Sequence, residues 1–222
     1  MTTTTEPSRD TRIPLTRERI LGAAIAHADA HGIEALSMRR LASDLGVEAM
    51  SLYHHVRNKS DLLAAIVDIV VAEIDLEPAG GWKIAIRRLS ISAHEVLLRH
   101  PWAANLMLAS TDVLPGRLRY MDVLLRRLRE AGFSAVQTHH AYHALDSHIM
   151  GFTLWLAGIL ATAPDLDATG ATFLATLPRD EYPFLAEHIE GHLSGANSGG
   201  DGEFAFGLDL ILDGLERMLA VG

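Results

Sequence analysis

The chain has 222 residues, 49% of them hydrophobic, carries a net charge of -9 at pH 7 and contains no cysteine. That length can bury a substantial core in one or two domains, and the lack of cysteine excludes disulfides, thiolate metal sites and cysteine nucleophiles, which suits a reducing cytoplasm. No GxSxG, Walker loop or dinucleotide-binding glycine pattern occurs, so no catalytic residue is assigned and an enzyme is not expected.

In chain order, residues 1–14 open with MTTTTEPSRDTR, which lacks the apolar segment of a signal peptide and reads as a disordered arm. An amphipathic helix is predicted from Thr16 to His31, with Ile20, Ala23, Ala24, Ala28 and Ala30 on or near one face and Gly32 as its stop. Ser37 then caps a second helix with Leu41, Ala42 and Leu45 inside, and Gly46 supplies the left-handed residue that ends it. A third helix follows at once. Its buried side is Val47, Leu52 and Val56, while Glu48, Met50, Ser51, Tyr53, His54 and His55 mostly point outward. Ala42 is small where the two helices must cross, so the pair has helix-turn-helix geometry, which presents its second helix to the DNA major groove. Asn58-Lys59-Ser60-Asp61 begins a capped fourth helix.

At this point the chain resembles the tetracycline-repressor-like (TetR) family of transcription regulators. GVEAMSLYHHVRNKSDLL, Gly46 to Leu63, is similar to that family's recognition helix and the helix start after it. Downstream, His100-Pro101-Trp102, the helix ending Leu128-Arg129-Glu130-Ala131-Gly132-Phe133-Ser134, and Phe204 to Leu219 resemble a tetracycline-repressor-type C-terminal domain. The resemblance implies an all-α fold, with a three-helix DNA-binding domain over 15–61 and a larger effector-binding and dimerisation domain over 62–222. Further helices are predicted over Lys59–Leu76, Trp82–Arg99, Trp102–Ala109, Arg117–Ala131, Ala135–Ala161, Asp180–Leu193 and Glu203–Ala220, with a flexible loop from Ser194 to Gly202 and no assignment for Pro164 to Pro178. The run Ile149 to Pro164 is uncharged but shorter than a membrane span needs, so it is read as a buried or intersubunit helix.

Charge is unevenly placed. Residues 154–222 hold two bases against eleven acids and account for the whole net charge, whereas Leu36 to Ser60 carries Arg39, Arg40, Arg57 and Lys59 against Asp44 and Glu48. Bases gathered at one end let an acidic protein bind nucleic acid. For base reading the candidates are Arg39 on guanine, Glu48 on cytosine, Met50 on a thymine methyl, and Ala49 and Ser51 beside them. Glu48 reads equally as a stabiliser of its helix start. Lys59, in the first turn of its helix, opposes the macrodipole unless a phosphate lies there, and the resemblance implies a phosphate contact. By the same resemblance Tyr53 and His55 contact the backbone, although half-buried aromatics would look the same. Ala49 and His54 replace the amide and tryptophan of the tetracycline repressors, so a different operator is expected.

In the second domain a mostly apolar effector pocket is expected around His94, Leu98, Met107, Met121, Leu124, His143, Ser147 and Met150. His139 and His143 have a spacing that two imidazoles on one metal can use, but histidines at helical spacing are more often pocket or surface groups, and no metal or cofactor is assigned. Tetracycline repressors bind a drug with its magnesium, and that ligand is not carried over. Phe204, Leu208, Ile211, Leu215 and Met218 alternate at spacings of four and three, the pattern of a helix seam, and are expected to form the dimer interface, with Gly207 and Gly214 permitting close approach. An intrachain core helix gives the same spacing. The expected function is a cytoplasmic, homodimeric repressor on a palindromic double-stranded operator, released by a small-molecule effector and without a membrane partner. Two alternatives stand beside it: a helical metal-dependent enzyme using His139 and His143, and a ligand-independent architectural DNA-binding protein.

Overall fold

The computed structural model describes residues 14–109, 114–163, 165–194 and 202–221, and every regular element among them is helical. The arm expected over 1–14 lies outside the described residues except for Pro14, as do Pro164 and residues 195–201 of the expected loop. Two compact units meet in sequence between Ile66 and Val67.

The first unit opens with α1 (Arg17–His31), whose N-cap Thr16 accepts the Arg19 amide on its hydroxyl at 3.2 Å. Gly32, at φ 80°, leads into a 3-10 turn, Ile33–Ala35. Next comes α2 (Met38–Leu45), with the Ser37 hydroxyl accepting the Arg40 amide. Gly46 stands at φ 67°, and the Gly46 and Val47 amides donate to the Ser43 and Ala42 carbonyls. These paired bonds satisfy carbonyls that a helix end leaves orphaned. Then follow α3 (Ala49–Leu52) and α4 (Lys59–Ala72). Ile20, Ala24, Leu36, Leu41, Leu52, Val56 and Leu62 make the core.

Three details differ from the sequence reading. The third helix is regular only to Leu52, and Tyr53–His55 continue as turns. Aromatic and imidazole side chains propagate a helix poorly, and Asn58 is already capping α4 by accepting the Asp61 amide at 2.8 Å. Val47 is half-buried rather than buried. On α1 Ala30 is exposed, and His27 takes the inward position instead.

The second unit contains α5 (Trp82–Arg99), α6 (Pro101–Ala109), α7 (Pro115–Glu130), α8 (Ala135–Thr162), α9 (Leu166–Thr176), α10 (Pro183–Leu193) and α11 (Gly202–Val221). Helix α8 is the axis, with α5, α6, α7 and α11 packed against it, while α9 and α10 pack on one another. Prolines open α6, α7 and α10 at the first helical position, where the missing N–H is no loss. Hence α10 starts at Pro183 and not at Asp180, since the residue before a proline resists the helical region. The unassigned stretch holds α9, capped by the Asp165 carboxylate on the Ala168 amide at 2.8 Å. At 28 residues, α8 is long and apolar enough for a membrane span by composition. It lies instead along four neighbours, and its outward face carries His139, His140 and His143, which hydrocarbon would penalise.

Helices α8 and α11 run antiparallel. The Gln137 amide donates to the Met218 carbonyl at one end, and His148 Nε2 lies 2.8 Å from the Phe204 carbonyl toward the other. Lys83 Nζ of α5 meets Asp213 and Glu216 of α11 at 2.7 Å each, and Arg87 forks onto Asp209. The residues of the expected dimer seam lie mostly on this inward face. Phe204, Leu208 and Leu215 are buried within the one chain together with Leu212, Ile211 is half-buried, and Met218 is exposed. Spacings of four and three mark a covered stripe without saying which chain covers it. Gly207 likewise serves an intrachain contact, because a Cβ there would stand 2.7 Å from His148 Cε1. Gly214 has open space around it, with Arg217 Nη2 the nearest atom at 3.9 Å. Phe206 and Leu210 of α11 point outward, 65% and 58% exposed.

Candidate functional site

On the first unit, the α2–α3 turn projects a set of exposed side chains. Met50 is 71% exposed, a large apolar group in water at the middle of α3. Glu48 holds the N-cap position with no side-chain capping bond, so its carboxylate stays outward. Arg39, His54 and Lys59 are exposed, Tyr53 is 43% exposed, and Ala49, Ser51 and His55 are half-buried. The cations near this face fall into two groups. Arg40 pairs with Asp44 at 3.3 Å and Arg57 with Asp61 at 3.0 Å, whereas Arg39 and Lys59 pair with no acid among the described residues. An unpaired guanidinium, an unpaired ammonium and an exposed apolar side chain are groups that base edges and phosphates can use.

A clasp behind this face holds it in place. Arg17 donates to the His55 carbonyl at 2.6 Å and stands 3.8 Å from Asp61. Asp61 also accepts from the Arg57 backbone amide and guanidinium, each at 3.0 Å. Those bonds to Arg57, the backbone one foremost, hold the Asp61 carboxyl below its ordinary pKa. On the other side, His27 Nδ1 lies 2.8 Å from Asp44 Oδ2, linking α1 to α2. The sequence reading missed Arg17, Asp61, His27 and Asp44 because these partners are 44 and 17 residues apart.

The second unit holds a half-open cavity of about 490 Å³. It is walled by Ile91, Phe152, Trp155, Leu166 and Phe204, with His94, Glu95, His192 and Glu203 as its polar groups. His94 is the one member of the expected pocket set on this wall. Met107, Leu124 and Met150 are buried in helix packing, Leu98 and Met121 are half-buried away from the cavity, and His143 is exposed. Ser147 lies on a separate shallow groove with His148, Gly151, Phe152 and Trp155. The expected set was taken from faces of α5 to α8 that the bundle closes on itself, and α11 was not counted among the walls. His94 Nδ1 lies 2.8 Å from Thr153 Oγ1, and its ring stacks on Phe204 at 4.0 Å and 8°. Burial, with His148 nearby, pushes the His94 pKa down.

Elsewhere, His139 and His143 stand edge to face at 4.6 Å on the outward face of α8, and among the described residues no three metal-ligating groups come together. Asp146 lies between α8 and α7, where burial pushes its carboxyl up, while Tyr142 is pushed up to about 12, chiefly by burial. The fully buried Tyr120 hydroxyl faces Asp146 without a hydrogen bond of ordinary geometry.

A helix-turn-helix unit followed by a helical unit with a ligand-sized cavity defines a ligand-responsive DNA-binding regulator. The family model described as "Bacterial regulatory proteins, tetR family" matches residues 20–66, and that described as "Tetracyclin repressor-like, C-terminal domain" matches residues 75–219. The chain belongs to the TetR family of transcriptional regulators. It is similar to the HTH-type transcriptional repressor DrrR1 of Streptomyces coeruleorubidus, 32% identical over 96% of this chain and 82% of the relative. Among solved structures, ActR of Streptomyces coelicolor in complex with actinorhodin is 29% identical with a TM-score of 0.69, covering 93% of this chain and 99% of that one. BioQ with its double-stranded DNA operator is 25% identical with a TM-score of 0.62, over 92% of this chain and 99% of that one. The function is therefore ligand-responsive, DNA-binding transcriptional repression, in a family of regulators rather than of enzymes. Neither the metal-dependent enzyme nor the ligand-independent architectural protein finds support.

Proposed function

We propose that the chain acts in the cytoplasm as a homodimer on an inverted-repeat operator, with one α3 in each of two successive major grooves. Half-site centres then lie roughly 34 to 36 Å apart. Arg39, Glu48, Ala49, Met50 and Ser51 read bases, while Tyr53, His54, His55 and Lys59 contact the backbone. The observation that carries this is the exposure of Met50 together with that of Arg39 and Lys59, which pair with no acid among the described residues. The dimer uses the outward faces of α8 and α11, where Leu160, Phe206 and Leu210 are exposed in the isolated chain. An apolar face of this kind is a usual site of association. Selection of bound duplexes from a random pool tests the DNA reading: an inverted repeat supports it, and no enriched motif refutes it.

The effector occupies the cavity beside His94. It releases DNA by preferring a dimer state whose α3 spacing no longer matches the grooves, and by linkage DNA weakens effector binding by the same factor. A ligand that fills the cavity yet leaves DNA affinity unchanged would contradict this.

A further inference from the structure

On the reading that this cavity is the effector site, its lining also selects the chemistry of the effector. We propose that it takes an aromatic organic cation, an amine-bearing ring system that also offers a hydrogen-bond donor, and turns away anions.

The first argument fixes a proton. Thr153 Oγ1 lies 2.6 Å from the Ile149 carbonyl, which can only accept, so the hydroxyl proton points there. The Thr153 oxygen must then accept from His94 Nδ1, 2.8 Å away, which therefore carries the ring proton. A neutral imidazole has a single N–H, so Nε2 is left as a lone-pair acceptor. Half-burial and the nearby His148 keep that ring neutral. His148 Nε2 in turn donates to the Phe204 carbonyl, and its ring stacks on Phe204 at 4.8 Å and 19°. His94 thus offers an acceptor, and a ligand must bring the donor.

The second argument is charge. Glu95 and Glu203 line the cavity, neither pairs with a base among the described residues, and no Lys or Arg is in the lining. The remaining polar side chain of the lining is His192, and Glu203 stands in the first turn of α11. Phe152 and Trp155 add aromatic rings, whose negative quadrupoles attract a cation and stack on a flat ring. An anion would meet two carboxylates and two aromatic rings. A cation is favoured by each.

The test uses the full chain and two related xanthene dyes, the cation tetramethylrhodamine methyl ester and anionic fluorescein, followed by fluorescence anisotropy. The cation should bind at least about tenfold more tightly, and the Glu95→Gln/Glu203→Gln double variant should remove most of that preference. His94→Phe, which keeps a ring but loses the acceptor, should weaken an added hydroxylated analogue of the cation more than its methyl ether. Equal or tighter binding of fluorescein, an unchanged preference in the double variant, or no binding of either dye would overturn the proposal. Trp155→Ala separates the two layers. If fluorescein binding is the stronger and Trp155→Ala abolishes it, the cavity stands as a ligand site and the charge selection falls. If cation binding is untouched by Trp155→Ala, the dye is not in the cavity and both fall.

Discussion

Arg17, in the first turn of α1, donates to the backbone carbonyl of His55 at 2.6 Å, just past the end of α3. The bond matters because α3 is too short to hold itself. Helix nucleation is unfavourable, and a segment as short as Ala49–Leu52 depends on tertiary partners. Asp61 completes the clasp by binding Arg57 on the far side of the turn.

Positioning and charge predict opposite signs for Asp61→Asn. Removing an acid near a DNA-binding face should slightly raise affinity for random duplex, whereas loosening the clasp should lower affinity for a selected duplex by about tenfold. Titration of both duplexes decides, and a variant tighter on both would show that the clasp does not position α3.

Gly46→Ala should destabilise the first unit by about 1 to 2 kcal/mol, because the residue sits at φ 67°. No atom lies within 4 Å of the added Cβ, so strain acts without a clash. Gly46→Asn should recover part of the loss, since asparagine tolerates this conformation better. Denaturant unfolding of the pair measures both.

Two leucines on α11 should behave differently. Leu210→Asp places a charge on an exposed site and should give a folded monomer with lost operator affinity. Leu215→Asp buries an unpaired charge at a position 5% exposed and should unfold the chain. Leu208→Ala, fully buried, should cost about 2 to 5 kcal/mol without changing the assembly. Sedimentation with circular dichroism separates the three, and an intact Leu210→Asp dimer would move the interface elsewhere.

The lowered His94 pKa fixes the sign of a pH effect. The unfolded chain takes up a proton at the ordinary histidine value and the folded site resists it. Stability from this group is therefore complete above the ordinary histidine pKa and is lost as pH falls through that range toward the folded value. His94→Phe should flatten the stability profile there, and an unchanged acid slope would assign it to other groups.

The helix-turn-helix was legible because its signals are local. Ser37 caps, Gly46 takes a positive φ, and Leu41, Leu52 and Val56 recur at helical spacing, each within a few residues of its partner. The clasp joins Arg17 to His55 and Asp61 across the fold, and spacing along the chain carries no sign of it. The same limit explains the second unit. The stripe Phe204-Leu208-Leu215 was visible as apolar, but whether α5 and α8 or a partner covers it depends on packing. The cavity wall is assembled from α5, α8, α9, α10 and α11, and of the expected pocket residues His94 alone lies on it.

The most direct test of DNA recognition by this face is the salt dependence of binding for wild type, Lys59→Ala and Arg39→Ala on a duplex selected by the wild type. Lys59→Ala should weaken binding to selected and random duplexes alike and lower the salt slope by about one. Arg39→Ala should cost about 1 to 3 kcal/mol on the selected duplex alone and relax preference at one base pair. If both variants bind both duplexes as the wild type does, the α2–α3 face does not meet DNA.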